Sequence, residues 1–368
     1  MINKMSFLKS IFNKKDESIE TYDDFWNWFQ NNAKTFYNVV KQHKNIEKEF
    51  FDPLSSKLNQ LRDGFFFLTG MFDSDTAELV LTPDGNIKNI VFVEEIVKSA
   101  PIIDGWRFTA LKPACGIDNS NIEMAGYRFN KEKLSFYSND NSEYPDEIDI
   151  TIVHNDFNEE DKANLINGTY IFLDNYLGEL NSVTTIDSFK IIGKEEANKE
   201  LIPIEKLNDF LVWRQKEFIE KYDGVLQNTD NANFSILEAE LKSGNKLIAT
   251  INMDILNWDK KASHPWIACL EIKFGGSENN GMPDEKTYQA LNVIDDEILQ
   301  ELKDSEGYLN IGRQTADGIR EIYYACKDFR KPSKVLYNIT KKYNDKFELT
   351  YDIYKDKYWQ SFNRFRQN

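Results

Sequence analysis

The sequence predicts an α+β protein built as two domains. Apolar runs of strand length recur between segments whose apolar residues return at helical spacing. The 368 residues, 41% hydrophobic and 14% aromatic, supply core for two domains of ordinary size. A polar, turn-rich stretch at 224–233 (Gly-Val-Leu-Gln-Asn-Thr-Asp-Asn-Ala-Asn) is poor in core residues and reads as the junction. The expected division is a tail at 1–21, an N-terminal α+β domain at 22–223 and a C-terminal domain at 224–368.

The tail is basic, with scattered Phe7, Leu8, Ile11 and Phe12, but it has no continuous apolar core and no small-residue cleavage site. A frayed tail is expected there. Residues 22–45 follow as a helix, with Phe25, Trp26, Phe29, Phe36, Val39 and Val40 on one side. A second helix, 46–62, is interrupted by Pro53, which lacks the backbone donor that a helix interior needs. Strands are expected at 65–72 and 76–82, a helix at 87–99 after the turn Thr82-Pro83-Asp84-Gly85, and a strand at 106–112. Residues 113–146 are loop-rich, with short strands at 124–129 and 134–137. A strand at 148–154, a helix at 158–180, a strand at 188–192 and a helix at 203–222 with Pro203 in its first turn complete this half. The N-terminal domain is therefore expected to be an α/β sandwich, a mixed or antiparallel sheet with flanking helices.

The C-terminal part has cleaner punctuation. Strands 234–241 and 246–253 are joined by Lys242-Ser243-Gly244-Asn245, a hairpin signal. Then come a strand at 266–274, a helix at 283–303, strands at 308–314 and 319–326 around Ala316-Asp317-Gly318, a helix at 332–343 and a strand at 347–354. The order from 266 onward is β-α-β-β-α-β, the ferredoxin-like arrangement, preceded by the hairpin.

Charge and scarce residues exclude several functions. Lys+Arg number 45 against Asp+Glu 61, a formal charge of −16, which repels a phosphate backbone and argues against direct nucleic-acid binding. No apolar run reaches the roughly 20 residues of a membrane span. Cys115, Cys269 and Cys326 are odd in number and widely spaced, which points to a reducing cytoplasm rather than a disulfide framework. His43, His154 and His264 show no ligand-type spacing, so neither metal nor cofactor is expected. The acidic clusters at 73–75, 146–149 and 156–161 lack the central glycine of a calcium loop.

The succession Trp258, Ser263-His264-Pro265-Trp266, Gly281-Met282-Pro283-Asp284, Asn310-Ile311-Gly312-Arg313 and Asp317-Gly318-Ile319-Arg320-Glu321-Ile322-Tyr323-Tyr324 resembles a bacterial domain of unknown function, number 695 in its series, over about residues 222–360. Domains of this type are similar to the regulator of ribonuclease E activity, type B, a small acidic ferredoxin-like protein that binds and inhibits an endoribonuclease. The resemblance implies a protein-binding role.

Four residues are the binding candidates: His264, Trp266, Arg313 and Arg320. The two arginines lie on paired strands and can reach one sheet face to grip an anion, or form cross-strand ion pairs with Glu321. His264 is the single acid–base candidate, with Asp254 and Asp259 nearby in sequence. Gly281-Met282-Pro283-Asp284 reads as a helix start, with Asp284 and Glu285 in the first turn where the helix dipole favours anions. The resulting expectation is an acidic binding or regulatory protein acting through contacts with a protein partner, one of basic character. The alternatives are a hydrolase using carboxylates with His264 in an inter-domain cleft, and an immunity-type protein that neutralises a basic toxin.

Overall fold

The computed structural model describes residues 18–229, 232–276 and 279–366. The basic segment expected as a tail lies, up to residue 17, outside them. The fold is α+β. The chain divides into two compact units, one ending at Pro113 and one beginning at Ala114. The stretch 224–233 lies within the second.

In the first unit, helix α1 (Tyr22–Gln42) opens with a capping box: the Asp24 amide donates to Thr21 Oγ1 at 3.1 Å and the Thr21 amide donates to Asp24 Oδ2 at 2.9 Å. A π-helical turn (Glu47–Phe51) leads into α2 (Asp52–Leu61). Pro53 therefore sits in the first turn of a new helix, where its missing N–H leaves no gap, and the expected second helix splits at that point. Strands β1 (Phe66–Met71), β2 (Ala77–Thr82) and β3 (Trp106–Ala110) form one sheet; β1 and β2 are antiparallel, while β2 and β3 are parallel across helix α3 (Ile87–Lys98). An aromatic core joins α1 to the sheet. Phe29 meets Trp106 edge-on at 5.0 Å, and Trp26 Nε1 donates to the Ile96 carbonyl at 2.8 Å.

The second unit begins with a hairpin, β4 (Ile122–Met124) and β5 (Tyr127–Phe129), where one strand was expected; Ala125 and Gly126 at positive φ turn the chain. Strands β6 (Leu134–Asn139), β7 (Asp149–His154), β8 (Ser188–Gly193) and β9 (Ile202–Pro203) form a sheet ordered β8-β7-β6-β9. Helix α4 (Lys162–Leu177) is separated from α5 (Glu179–Thr185) by Gly178, which divides the expected helix at 158–180. Pro203 pairs with Ser135 at the edge of the sheet instead of starting a helix; α6 (Leu207–Tyr222) begins four residues later. The strands of residues 22–223 thus fall into separate sheets.

The rest of the second unit is a six-stranded antiparallel sheet. Its strands are β10 (Phe234–Glu240), β11 (Lys246–Asn252), β12 (Trp266–Lys273), β13 (Tyr308–Ala316), β14 (Ile319–Cys326) and β15 (Glu348–Lys355). The spatial order is β10-β11-β13-β14-β12-β15. Helix α7 (Met253–Leu256) follows β11, α8 (Glu285–Glu301) connects β12 to β13, and α9 (Arg330–Tyr343) connects β14 to β15. One sheet face carries α8 and α9. The other is covered by α7, the 258–264 loop and the C-terminal turn, with Ile251, Ile267, Tyr323, Trp359, Phe362 and Phe365 among its buried residues. The hairpin β10–β11 extends the sheet on the β13 side, and β10 is its terminal strand.

Candidate functional site

A groove of about 340 Å³ on this sheet is lined by Ile236, Ile248, Thr250, Met282, Pro283, Tyr288, Arg313, Thr315 and Arg320. Side chains along a strand alternate between faces. Thr315 pairs with Ile248 and with Arg320, and Arg313 pairs with Thr250 and Ile322, which puts both arginines on one face of the sheet. That face is the one toward α8, because both guanidinium groups bond to Asp295 on that helix. The wall opposite the exposed hairpin is formed by Tyr288 of α8 and by the Met282-Pro283 segment that precedes it.

Two local devices hold this geometry. The first is a β-bulge in β13. Asn310 pairs with Tyr324 and Gly312 with Tyr323, so Ile311 is extra, and the register is reset just before Arg313. Gly312 has φ +135°, and a Cβ there would lie 2.1 Å from the Thr250 carbonyl oxygen. The second is the seating of the loop before α8 on the β13–β14 turn. The Gly318 amide donates to the Gly281 carbonyl at 2.9 Å, and a Cβ on Gly281 would lie 2.7 Å from the Asp317 amide. Asn245 Nδ2 donates to Asp317 Oδ1 at 2.6 Å, so the tip of the β10–β11 hairpin is tied to the same turn. Helix α8 starts at Glu285 with Asp284 as its N-cap; Asp284 Oδ1 accepts from the Thr287 amide at 2.7 Å, and Pro283 stands just outside the helix.

Arg320 is 2% exposed although charged. Its Nε donates to Thr315 Oγ1 at 3.3 Å, and its Nη1 donates to Asn292 Oδ1 at 3.1 Å and Asp295 Oδ2 at 3.2 Å. Arg313 Nη1 donates to the same Asp295 oxygen. Burial is the largest influence on this cluster: it pushes the Asp295 carboxyl up, opposed by both guanidinium groups, and pulls the Arg320 guanidinium down, opposed by Asp295. Among the described residues, no hydrogen bond or ion pair engages Arg313 Nε, Arg313 Nη2 or Arg320 Nη2. Two cations therefore share one carboxylate and keep donors in hand beside an apolar wall. Glu321, the sequence-level candidate for their ion pair, faces the opposite side of the sheet and bonds to Gln314.

The other two candidates lie elsewhere. His264 is fully buried, and Trp258 packs at 5.5 Å from its ring. Ser263 Oγ donates to the Lys260 carbonyl at 2.7 Å, so it must accept from His264 Nδ1 at 2.8 Å. That leaves His264 Nε2 as the bare nitrogen, buried without a partner. Burial lowers the ring's pKa to about 3. Trp266 is buried against Phe329, with ring centroids 4.9 Å apart. Tyr288 and Ile236 line the groove and Asp295 holds its arginines from α8; none of the three was singled out as a site residue from the sequence. Spacing puts Tyr288 on the inward side of α8, but nothing local pairs Asp295 with strands that follow it.

Among the described residues, no group of His, Cys, Asp and Glu is placed to hold a metal ion, and no helix is long and apolar enough to cross a membrane. The comparisons with curated proteins and with solved structures gave no match. The groove lies almost wholly within a segment that matches a family model: residues 241–365 fit DUF695, a family of unknown function.

Proposed function

We propose that this is a non-enzymatic binding protein that acts through protein–protein contacts, and that the groove beside β10 is its docking surface. The observation that carries the reading is the exposed terminal strand. Ile236 is 75% exposed and Phe234 41%, on a strand whose outer edge has no strand partner among the described residues. Such an edge offers unpaired backbone groups to an incoming chain, and apolar residues next to it supply pockets for alternate side chains. The strand order β13-β14-β12-β15 with two helices on one face supports reading the domain as ferredoxin-like, extended by the hairpin. The resemblance to a ribonuclease regulator expected from the sequence would favour the same reading, inhibition or regulation by binding.

The charge of −16 favours a partner that is basic overall. The three free cysteines fit a reducing cytoplasm. A hydrolase would need His264 in a cleft within reach of a carboxylate, whereas its ring is buried and bonded to Ser263. An immunity-type role would be a special case of the binding reading, with a basic toxin as the partner.

The test is affinity capture from a bacterial lysate with the full chain, at low and high salt, beside the Ile236→Asp variant. A partner retained by the parent protein and lost with the variant is expected. Equal retention by both proteins, or no specific partner at low salt, would overturn the reading.

A further inference from the structure

We infer that the groove recognises the side-chain carboxylate of an acidic residue set between apolar residues in an extended segment of the partner. The inference rests on the docking reading above and specifies its chemistry. Recognition of a carboxylate by arginine is a matter of planar, paired donors. Here the donors are already in place: Arg313 Nε and Nη2 and Arg320 Nη2 have no hydrogen-bond partner among the described residues, and the Arg320 guanidinium, 2% exposed, lines the groove 5.4 Å from the centre of the Tyr288 ring. Asp295 holds both guanidinium groups from the α8 side and fixes their orientation without neutralising both charges.

Charge selects the ligand. With two cations and one carboxylate, the cluster carries one uncompensated positive charge. A monoanionic carboxylate balances it; a phosphate dianion would leave a net negative charge in a half-enclosed site, which desolvation disfavours. The apolar surroundings select the context. Ile236, Ile248, Met282 and Pro283 flank the arginines, so the residues on either side of the acid, two positions away on the same face of an extended chain, should be apolar. Because the protein as a whole repels acidic surfaces, an isolated acid within a neutral or basic segment satisfies both the long-range field and the local site.

The experiment uses the full-length protein against random twelve-residue peptides, displayed through their C-termini so that no terminal carboxylate is free. A second library, fused through its N-termini, exposes that terminus. Selected peptides from the first library should share one Asp or Glu with apolar residues two positions away. Replacing that acid by its amide, or Arg313 by Gln, should weaken binding roughly tenfold to a hundredfold. Arg313→Gln is the variant of choice because this side chain is 30% exposed, whereas Arg320 lies in the core; Arg313→Lys should recover only part of the affinity. Inorganic phosphate and acetate are the small-anion probes.

Enrichment only in the library with free C-termini would overturn the side-chain assignment, as would selected peptides lacking an acid or binding Arg313→Gln undiminished. So would inorganic phosphate displacing the peptides better than acetate does. Peptides without an acid that still fail on Ile236→Asp would leave the docking reading standing and sink the carboxylate assignment alone. Absence of any peptide that depends on Ile236 would sink both.

Discussion

His264 is the residue whose role the structure redefines most. In the sequence it is a lone histidine with acids in the vicinity, and spacing cannot tell a catalytic ring from a structural one. Folding places it under Trp258, uses its Nδ1–H on Ser263, and has Trp359 Nε1 donate to its carbonyl at 2.9 Å. A proton added at Nε2 would find no acceptor. The sign of the pH effect follows. The folded pKa of about 3 lies below the ordinary histidine value of 6.5, so the unfolded chain binds the extra proton first as pH falls. The stability this histidine contributes is complete above pH 6.5 and is lost progressively as pH falls toward 3. The slope should approach roughly 1.4 kcal/mol per pH unit. His154, also buried and also shifted down by burial, adds to the slope in the same direction. Urea unfolding at pH 7.5, 6.0 and 5.0 should therefore show falling stability for the parent and a shallower fall for His264→Leu. Parallel slopes for the two proteins would refute this account. At the same scale, the shared face of Arg313 and Arg320 was legible, because a two-residue hairpin turn fixes register and register fixes face. Their partner Asp295 was not legible, because the pairing depends on how α8 crosses the sheet.

At the scale of elements, the groove exists because a hairpin lengthens the sheet beyond the reach of its two helices. The element order of the C-terminal part could be read from the sequence, since each strand and helix is closed by its own turn or cap. The bulge in β13 could not. Asn310-Ile311-Gly312-Arg313 reads as ordinary alternation, yet the alternation is reset at Ile311 and depends on a glycine at φ +135° against the Thr250 carbonyl. Gly312→Ala should therefore cost about 2 kcal/mol or more, combining a backbone region open in practice only to glycine with a clash against β11. The loss should appear in urea unfolding. Because the strain falls between β11 and β13, the variant should also lose peptide binding at the groove under conditions where it is still folded. Near-parental stability would mean that β13 can discard its bulge. The missed break in helix 158–180 has a similar cause: Gly178 stops α4, but a single glycine in a helical pattern is not by itself a stop.

At the scale of the molecule, the four-stranded and six-stranded sheets, which lie on either side of the polar stretch 224–233, belong to the same unit. An ionic network links β15 and its following turn to the residues that precede β7 and β8. Asp187 Oδ2 accepts from Lys357 Nζ at 2.6 Å and from the Ile148 amide at 2.6 Å, and Asp187 Oδ1 pairs with Lys355 at 2.7 Å. Asp146 Oδ2 accepts from Tyr358 at 2.6 Å and Tyr222 at 2.8 Å, with Lys221 on Asp146 Oδ1 at 2.7 Å. The partners are 170 residues apart for Lys357 with Asp187 and 212 for Tyr358 with Asp146, so neither periodicity nor composition could reveal them. Lys355 is so enclosed that burial lowers its pKa to about 8, even with Asp187 beside it. Two largely enclosed ammonium groups share the Asp187 carboxylate, while Lys355 also donates to the Thr184 carbonyl and Lys357 to the Asp146 carbonyl. Removing one member of a buried ion pair leaves the other charge stranded, at a typical cost of about 3–5 kcal/mol. Asp187→Asn should destabilise the protein by about that amount in urea unfolding at neutral pH. Adding Lys355→Met to Asp187→Asn should restore part of the loss, because the second change removes a stranded charge. A single variant within about 1 kcal/mol of the parent, or a double variant less stable than the single one, would show that the two sheets are held by apolar packing and that the ion pairs merely accompany it.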